Sequence, residues 1–395
     1  MTIGEILLIG YLGVCLVYWL YTTYGVVRTR RALRALEEPH GDDPAAWPKL
    51  SVVVAACNEA DKIEPAARTL LDQDYPELEI ILVDDRSTDG TSGIIDRLAR
   101  EDGRVRPVHV TELPEGWIGK VHALECGYRE STGELVLFTD ADVHFQPGTL
   151  RRAAAYLVRE HLDHLTVFPR LWRTGVVVDA MIAVFLRHFI LMTRLWGMRR
   201  GPLRCCVGVG AFNMVRRSAF EKTEGFAWMR METADDYALA YMMKRSGAAC
   251  DVVTGFESVG LYWYRSVREA ATGAEKGYSS AFRCSLVIAL LSSVLMLAVE
   301  LSPVASLVVM VFGSLGAAWG VAAANVLLFV LSGILLSRWA GVSVRPLILA
   351  PLAAPVLAVL TVRVGVLGYR RGGVVWRGTL YASEELRKGR RIPIP

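Results

Sequence analysis

The sequence lacks most of the features that assign a protein to a class at first sight. Its 395 residues include seven cysteines with no CxxC pair, which argues against a disulfide or zinc framework and fits a reducing compartment. Proline content is low and no heptad or Gly-X-Y repeat is sustained, which excludes disordered, coiled-coil and collagen-like proteins. The net charge of +4 is too small to indicate nucleic acid, so no nucleic-acid partner is expected.

The glycine-rich loops that bind phosphate are also missing. Neither GxGxxG nor GxxxxGK[ST] occurs, which argues against dinucleotide-binding and P-loop proteins. A chain without these loops needs another source of positive charge to hold a diphosphate, and a divalent metal ion can supply it.

Charge is unevenly distributed along the chain. Apolar residues make up 53% and charged residues 21%, a modest apolar excess over an average soluble domain. The excess is concentrated in residues 6–27, which carry no charge, and in residues 284–337, whose single charge is Glu300. This distribution indicates membrane segments flanking an ordinary soluble region.

The first apolar segment predicts a membrane-spanning helix over residues 3–27. About 20 apolar residues span a bilayer, and aromatic side chains cluster near one end of this segment. Arginines follow in a basic linker over residues 28–47 and place that end on the cytoplasmic side. A cleaved signal peptide, the alternative, would have a shorter apolar segment with its positive charge in front.

The second apolar segment predicts a membrane block over residues 284–369 with two to four crossings. Pro303 and residues 313–320 are the expected breaks. The tail, residues 370–395, is basic and should be cytoplasmic, which demands an even number of crossings. Four short crossings satisfy this, as do two crossings with residues 346–355 re-entrant. The sequence thus predicts an integral protein of a bacterial-type cell membrane with a cytoplasmic soluble region.

Residues 176–198 form a third long apolar stretch, interrupted by charged residues. These charges make a full crossing costly, so an amphipathic helix in the membrane interface is favoured over a buried core helix. Residues 261–283 are expected to form another interfacial helix. Such helices would seat the soluble region against the bilayer and open its site to a lipid.

The region between the membrane segments, residues 48–260, predicts an α/β domain with a mostly parallel, Rossmann-like sheet. Short β-branched runs alternate with helical segments, which is the pattern of right-handed βαβ units. The expected strands are residues 50–56, 79–83, 105–110 and 134–139, and the expected helices are residues 61–71, 91–100 and 121–129.

Polar residues follow three of these strands at the carboxyl end, where such sheets bind ligands. Asn58 and Glu59 follow the first strand, Asp85 ends the second, and Asp140 and Asp142 end the fourth. Each alone could be a helix cap or a loop acid, but together they indicate one polar edge. Two carboxylates at this spacing suit Mg²⁺ or Mn²⁺, which keep waters and bind substrate phosphates.

The motifs around these residues resemble a known family. The chain carries, in order, SVVVAACNEADKIEPAARTLLDQDYPELEIILVDDRSTDGT, GWIGKVHAL, LFTDADVHFQP, GVGAFNMVRRSAFEKTEGF and ADDYALAYMMKRSG. This series resembles membrane-bound family 2 glycosyltransferases of the inverting, GT-A type, and is similar to lipid-modifying members such as ceramide glucosyltransferases and the transferases of hopanoid and carotenoid pathways. The resemblance implies a hexosyltransferase with a GT-A fold, a nucleotide-sugar donor, a Mg²⁺ or Mn²⁺ ion and a membrane-lipid acceptor.

The resemblance also implies roles for individual residues. Asp236 would be the catalytic base, at a site where the family has Glu-Asp and this chain has Asp235-Asp236. The alternative is that both acids only stabilise a helix N-terminus. Asp142 would hold the metal together with Asp140. The donor-binding residues would be Asn58, Glu59, Asp85 at the base, Lys120, Asp140, and Lys276 in place of the arginine of the family's QxxRW motif.

Four further positions are candidates for supporting roles. Trp117 could form a wall for the sugar or acceptor, or anchor its loop. His144 could contact phosphate or simply pack, and Arg265 is a second candidate cation. The segment Trp376–Tyr381 resembles a WxGRxY-like pattern of the family, with Thr379 in the arginine position, and has no assigned role.

The sequence therefore predicts an inverting, metal-dependent transferase that moves one sugar to a lipid hydroxyl at the cytoplasmic membrane face. UDP-hexose is the expected donor, with GDP-mannose open, and ceramide, hopanoid, carotenoid, diacylglycerol and polyprenyl phosphate are all open as acceptors. A processive polysaccharide synthase is disfavoured because the tryptophan of QxxRW is missing. A non-catalytic lipid-binding scaffold is disfavoured by the intact series of acids.

Overall fold

A computed structural model describes residues 2–38, 43–313 and 316–393 of the chain. Residues 39–42 of the predicted linker and residues 314–315 of the predicted glycine-rich break lie outside this described part. The strands are β1 (Leu50–Ala56), β2 (Leu78–Asp85), β3 (Val105–Val110), β4 (Leu135–Asp140), β5 (His144–Phe145), β6 (His164–Leu171), β7 (Asn213–Arg216), β8 (Cys250–Leu261), β9 (Gly373–Trp376) and β10 (Thr379–Ala382). The helices are α1 (Ile3–Ala32), α2 (Ile63–Leu71), α3 (Thr91–Glu101), α4 (Gly119–Glu130), α5 (Thr149–Arg159), α6 (Val176–Thr193), α7 (Arg217–Phe220), α8 (Gly225–Trp228), α9 (Asp235–Arg245), α10 (Val267–Gly273), α11 (Gly277–Ser280), α12 (Leu286–Glu300), α13 (Ser302–Phe312), α14 (Ala317–Ala340), α15 (Val344–Arg371) and α16 (Ser383–Gly389).

One sheet organises the soluble region, with strand order β3-β2-β1-β4-β7-β6-β8-β5. β1 pairs in parallel with both β2 and β4, so the carboxyl ends of three strands meet at one edge. The α/β prediction is confirmed, and the four predicted strands are present, two with the predicted bounds and two with bounds shifted by one or two residues. The second half of the sheet was not predicted. There β7 runs antiparallel to β4 and β6, and β5 runs antiparallel to β8.

Side chains alternate between the two faces of the sheet along each strand, and helices cover both faces. Val52 and Leu82 point to one face and pack with the apolar sides of α2, α3 and α5. Val53 and Val83 point to the other face, where α4, α8 and α9 cover them. This double covering explains why the strands read as continuous apolar runs and why their polar residues lie only at the ends.

Residues 261–283 differ from the single interfacial helix that was expected. They form α10, a 3-10 turn at Ala274–Lys276 and α11, each at most seven residues long. Gly273 ends α10, and its α-carbon packs so closely against the Tyr264 ring that a Cβ there would collide with it. The segment therefore folds against the domain as a chain of short turns.

Apolar helices long enough to cross a membrane lie near both ends of the described chain and in its middle. By length and composition α1, α14, α15 and the stretch Val176–Gly197 qualify, and α12 with α13 forms a further candidate bent by 40°. Large apolar side chains such as Leu7, Leu291 and Leu327 are exposed on these helices. Such surfaces indicate association with a membrane.

α1 and α14 lie side by side and run in the same direction. The Leu12 carbonyl accepts a hydrogen bond of 3.0 Å from Asn325, and the Trp19 and Phe329 rings pack edge to face with centroids 5.0 Å apart. Both helices end at the soluble domain. Beyond α1 the chain pairs with β8 through main-chain hydrogen bonds at Thr254, and the end of α14 contacts β8 through its tryptophan ring.

The pair α12–α13 runs the opposite way. It starts beside the domain, where the Cys284 N–H bonds to the Tyr278 carbonyl, and α13 packs antiparallel to α14 with Trp319 bonding to the Met310 carbonyl. The break between the two helices lies at Leu301, close to the proline at which it was expected.

α15 has both of its ends on the soluble domain. The Arg170 guanidinium lies beside Gly341, just before the helix, and Arg371 in its last turn pairs with Glu275 at 2.7 Å. The helix is continuous through residues 346–355, the stretch that one of the two predicted arrangements made re-entrant. Prolines are tolerated within membrane-associated helices because neighbouring groups satisfy the freed carbonyls.

α6 has the same arrangement on a smaller scale. Just before it, the Thr174 hydroxyl bonds to the Tyr264 carbonyl, and near its end the Phe189 ring contacts Phe168 of β6. Its middle packs against α15 and α1. α6 and α15 thus form a layer between the sheet domain and the helices that lead away from it.

One buried ion pair joins this layer to the bent helix pair. Arg187 of α6 is 1% exposed and pairs with Glu300 at the end of α12, which is fully buried. Tyr18 donates a 3.2 Å hydrogen bond to the same carboxylate, and the guanidinium stacks over the Trp19 ring at 5.6 Å. The pair fixes the position of the break in the bent helix relative to α6.

Candidate active site

The polar residues after β1 and β2 form one end of a cleft at the carboxyl edge of the sheet. Asn58 adopts a left-handed conformation (φ 55°), and its side chain accepts a 2.8 Å hydrogen bond from the Thr88 N–H. Asp85 is 3% exposed and pairs with Arg86 at 2.7 Å. Gly119 approaches this carboxylate so closely that a Cβ would lie 2.5 Å from its oxygen, so only glycine fits at the start of α4.

Lys120 connects the ends of two distant elements. Its Nζ lies 2.7 Å from Asp140 at the end of β4 and 2.9 Å from Asp235 at the start of α9. Burial acts to lower the pKa of Lys120, but these carboxylates raise it well above the usual value. Burial likewise acts to raise the pKa of Asp140, which Lys120 and more distant cations nevertheless hold below its usual value. The acids of β4 and α9 therefore share one charged cluster.

Asp236 faces the same cleft from the N-terminus of α9. One carboxylate oxygen accepts a 3.0 Å hydrogen bond from the Gly210 N–H and the other a 2.8 Å bond from the Tyr237 N–H. Burial and the neighbouring Asp235 raise its pKa, against the opposing charges of Lys120 and Lys276. A carboxylate held in one orientation with a raised pKa is suited to accept a proton.

Asp142 lies at the other side of Asp140, beyond the end of β4. Burial and the charge of Asp140 raise its pKa to about 6, and Lys62 opposes this shift. The Nζ of Lys62 is 3.7 Å from Asp142, 3.4 Å from Glu59 and 3.6 Å from Glu269. Lys62 and Glu269 were not among the predicted site residues.

Asp140 and Asp142 have the donor chemistry of a magnesium or manganese site. Both are carboxylates, and their mutual repulsion is what a divalent cation would relieve. Across the described residues, no three His, Cys, Asp or Glu side chains converge as a metal-binding group. The residues fit an ion that takes most of its ligands from water and substrate phosphate, as Mg²⁺ usually does.

The predicted supporting residues have neighbours of their own. The Trp117 ring packs against His122, and His144 packs against the Trp172 ring at 5.0 Å. Arg265 stacks over Tyr262 at 5.3 Å. Each of the three predicted residues thus packs against a ring, and their roles stay predictions.

The C-terminal hairpin β9–β10 contributes residues that were not predicted. Arg377 at its turn pairs with Glu59, and the Tyr381 hydroxyl accepts a 3.0 Å hydrogen bond from the Gly119 N–H. The Nζ of the predicted residue Lys276 lies 5.5 Å from the centre of the Trp376 ring. The only signal in the sequence was the likeness of Trp376–Tyr381 to the family's tail motif.

Part of the chain is similar to known proteins. Residues 51–223 match the family model described as "Glycosyl transferase family 2". The GalNAc(5)-diNAcBac-PP-undecaprenol beta-1,3-glucosyltransferase of Campylobacter jejuni is 33% identical over 103 residues, which are 26% of this chain and 32% of that protein. The beta-monoglucosyldiacylglycerol synthase of a Nostoc species is 28% identical over 205 residues, which are 50% of this chain and 41% of that protein. The chain thus spans less than half the length of each of these two relatives.

The fold has a counterpart among solved structures. The mannosyltransferase PcManGT from Pyrobaculum calidifontis, in complex with GDP-Man and Mn²⁺, is 21% identical, with a TM-score of 0.54. The likeness covers 89% of this chain and 99% of that one. At this identity the likeness shows the fold, and the predicted GT-A-like architecture is confirmed.

Proposed function

We propose that this chain, whose residues 51–223 match the glycosyl transferase family 2 model, transfers one sugar from a nucleotide-sugar donor to a lipid hydroxyl at the membrane surface. The observation that carries the proposal is the cluster in which Lys120 joins Asp140 of β4 to Asp235 beside Asp236. It supports the proposal because Asp236, the proposed base, and Asp140, a proposed metal ligand, line the same cleft.

Asp236 is the proposed base of an inverting transfer. The acceptor oxygen attacks the anomeric carbon from the side opposite the leaving group, and the carbon–oxygen bond to the diphosphate breaks with its electron pair staying on the phosphate. The hydroxyl proton passes to the Asp236 carboxylate. The hydrogen bonds from Gly210 and Tyr237 support this role, because they orient the carboxylate and leave each oxygen a further lone pair.

Asp140 and Asp142 are the proposed protein ligands of a Mg²⁺ or Mn²⁺ ion. When bound, such an ion neutralises the charge of a leaving diphosphate. Lys120 and Lys62, which now pair with these carboxylates, supply additional positive charge at the same place.

Removal of divalent metal should abolish transfer, and Mg²⁺ or Mn²⁺ should restore it. The purified protein is treated with EDTA, dialysed and assayed with radiolabelled donor while each ion is titrated back. Asp142→Asn should raise the half-saturating metal concentration by about tenfold or more, because one of two carboxylate ligands loses its charge. Asp74→Asn, at an exposed acid, is the matched control. Full activity without added metal would contradict the metal role.

A lipid acceptor is supported by the apolar helices that adjoin the catalytic domain. The layer of α6 and α15 adjoins the sheet domain, and α1, α12–α13 and α14 extend away from the domain. With α12–α13 as one outward crossing and α14 as the return, the basic tail lies on the domain's side, which we take to be cytoplasmic. A relative named as a monoglucosyldiacylglycerol synthase and one named for an undecaprenol-linked substrate agree with this class of acceptor.

Expression in a bacterial host should produce a new glycolipid that names both donor and acceptor. Lipid extracts from cells with the wild-type chain and with Asp236→Asn are compared by mass spectrometry. We expect a lipid heavier by one hexose in the wild-type extract alone. A ladder of many sugars would indicate a processive synthase. Identical lipid extracts, together with no sugar transfer by the purified chain, would overturn the proposal.

A further inference from the structure

The tail hairpin is a small structure that depends on its neighbours. β9 and β10 pair over four residues each, with Trp376 opposite Thr379. The turn residues Arg377 and Gly378 both have positive φ, 49° and 80°, as in the two-residue turns that match the twist of a hairpin. An isolated two-stranded hairpin is marginally stable in water, so contacts with the domain must hold it in place.

Three contacts hold the hairpin over the cleft, each to a different element. Arg377 pairs with Glu59 after β1, and Tyr381 bonds to the first residue of α4. Lys276, in the 3-10 turn before α11, lies over the Trp376 ring. The hairpin therefore forms a wall that joins the β1 end of the cleft to the side of Lys276.

Arg377 lies between the two ends of the proposed donor site. It pairs with Glu59, which lies 3.4 Å from the Nζ of Lys62, and the same Nζ lies 3.7 Å from Asp142. Glu59 follows Asn58 at the proposed nucleotide end of the site, and Asp142 belongs to the proposed metal end. A diphosphate that links a nucleoside to a metal-bound sugar phosphate has to cross this interval.

Arg377 also has binding capacity to spare. Its side chain is 41% exposed, and its contact with Glu59 is made through one nitrogen, Nη2. Lys120 and Lys62, by contrast, are each shared between two or more carboxylates. A guanidinium has five N–H donors in a planar fork that matches phosphate oxygens in pairs.

We propose that Arg377 binds the diphosphate of the nucleotide donor and that the hairpin β9–β10 is a wall of the donor site. This inference rests on the proposed glycosyl transfer, since it assigns a ligand within the same cleft. Because the chain has no glycine-rich phosphate-binding loop, Arg377 supplies positive charge for the diphosphate. Trp376 positions Lys276 beside Arg377.

The test is the affinity of the full-length chain in detergent for UDP and for GDP with Mn²⁺, measured by isothermal titration calorimetry. For whichever nucleotide the wild type binds, Arg377→Gln should lower the affinity by about ten- to a hundredfold, the usual contribution of a hydrogen bond to a charged group. Arg377→Lys should recover part of this loss. Arg370→Gln, at an exposed arginine seven positions earlier, should bind as the wild type does.

A double variant separates contact with phosphate from neutralisation of Glu59. If Arg377 only neutralises that carboxylate, Arg377→Gln combined with Glu59→Gln will bind as tightly as Glu59→Gln alone, and the inference is overturned. If Arg377 contacts the diphosphate, the double variant binds more weakly than Glu59→Gln alone. Unchanged affinity in Arg377→Gln, or a loss matched by a lower melting temperature in both Arg377 variants, also overturns it. Failure of the wild type to bind UDP or GDP would instead overturn the proposed function itself.

Discussion

Asp236→Asn should eliminate sugar transfer while leaving the chain folded. Asparagine has nearly the same shape and can still accept a hydrogen bond from Gly210, but an amide cannot take the acceptor proton. General-base catalysis accelerates such reactions by about a hundred- to ten-thousandfold. We therefore expect kcat to fall by about a thousandfold or more. The measurement is the rate of radiolabelled glycolipid formation with saturating donor, beside a thermal melt of the same sample.

Asp235→Asn is the matched comparison because it removes a charge from the same helix terminus. If both acids only stabilise α9, the two variants should lower the melting temperature alike and leave similar activity. If Asp236 is the base, only Asp236→Asn abolishes sugar transfer. The wild-type rate should also fall as the pH drops through the pKa of Asp236, which burial and Asp235 raise above the ordinary aspartate value. More than a tenth of the wild-type rate in Asp236→Asn would refute the assignment.

Arg187→Met should produce the largest loss of stability among single substitutions at this helical layer. It leaves the fully buried Glu300 without its ion-pair partner, and breaking a buried pair in this way costs about 3–5 kcal/mol. The measurement is the free energy of unfolding of the detergent-solubilised chain, by denaturant titration followed with tryptophan fluorescence.

The double variant Arg187→Met with Glu300→Leu should recover most of that stability. Replacing a buried pair by apolar residues of similar volume is often neutral or stabilising, whereas each single replacement leaves a lone charge. Lys388→Met, at an exposed pair with Glu384, should change stability little. Additive losses in the double variant would show that the two residues do not act as a pair.

The first half of the sheet was predictable because its strands obey simple rules. β1, β2 and β4 are apolar runs buried on both faces, and polar residues appear only where the strands end. β6 and β7 were missed because polar residues interrupt their apolar pattern. His164 and Thr166 each hydrogen-bond to Asn213 across the two strands, at 3.1 Å, so their polarity is satisfied inside the core. A single sequence does not display such cross-strand partners.

The residues of the candidate site also fall into those that the sequence could predict and those that it could not. The acids at the strand ends could be predicted because parallel strands of one sheet end at the same edge. Lys62, Glu269 and Arg377 could not, because they enter the cleft from the start of one helix, a short helix after β8 and a distant hairpin. No spacing rule connects them, and only the folded chain brings them together.

The hairpin also has a consequence for the order in which the molecule is made. Arg377 and Glu59 are separated by 318 positions. At about 5–20 residues per second, translation adds Arg377 tens of seconds after Glu59. During that time the helices of the C-terminal block must leave the ribosome and enter the bilayer. If Arg377 binds the donor as proposed, a nascent chain would gain full donor affinity only after all of its C-terminal apolar helices have been made.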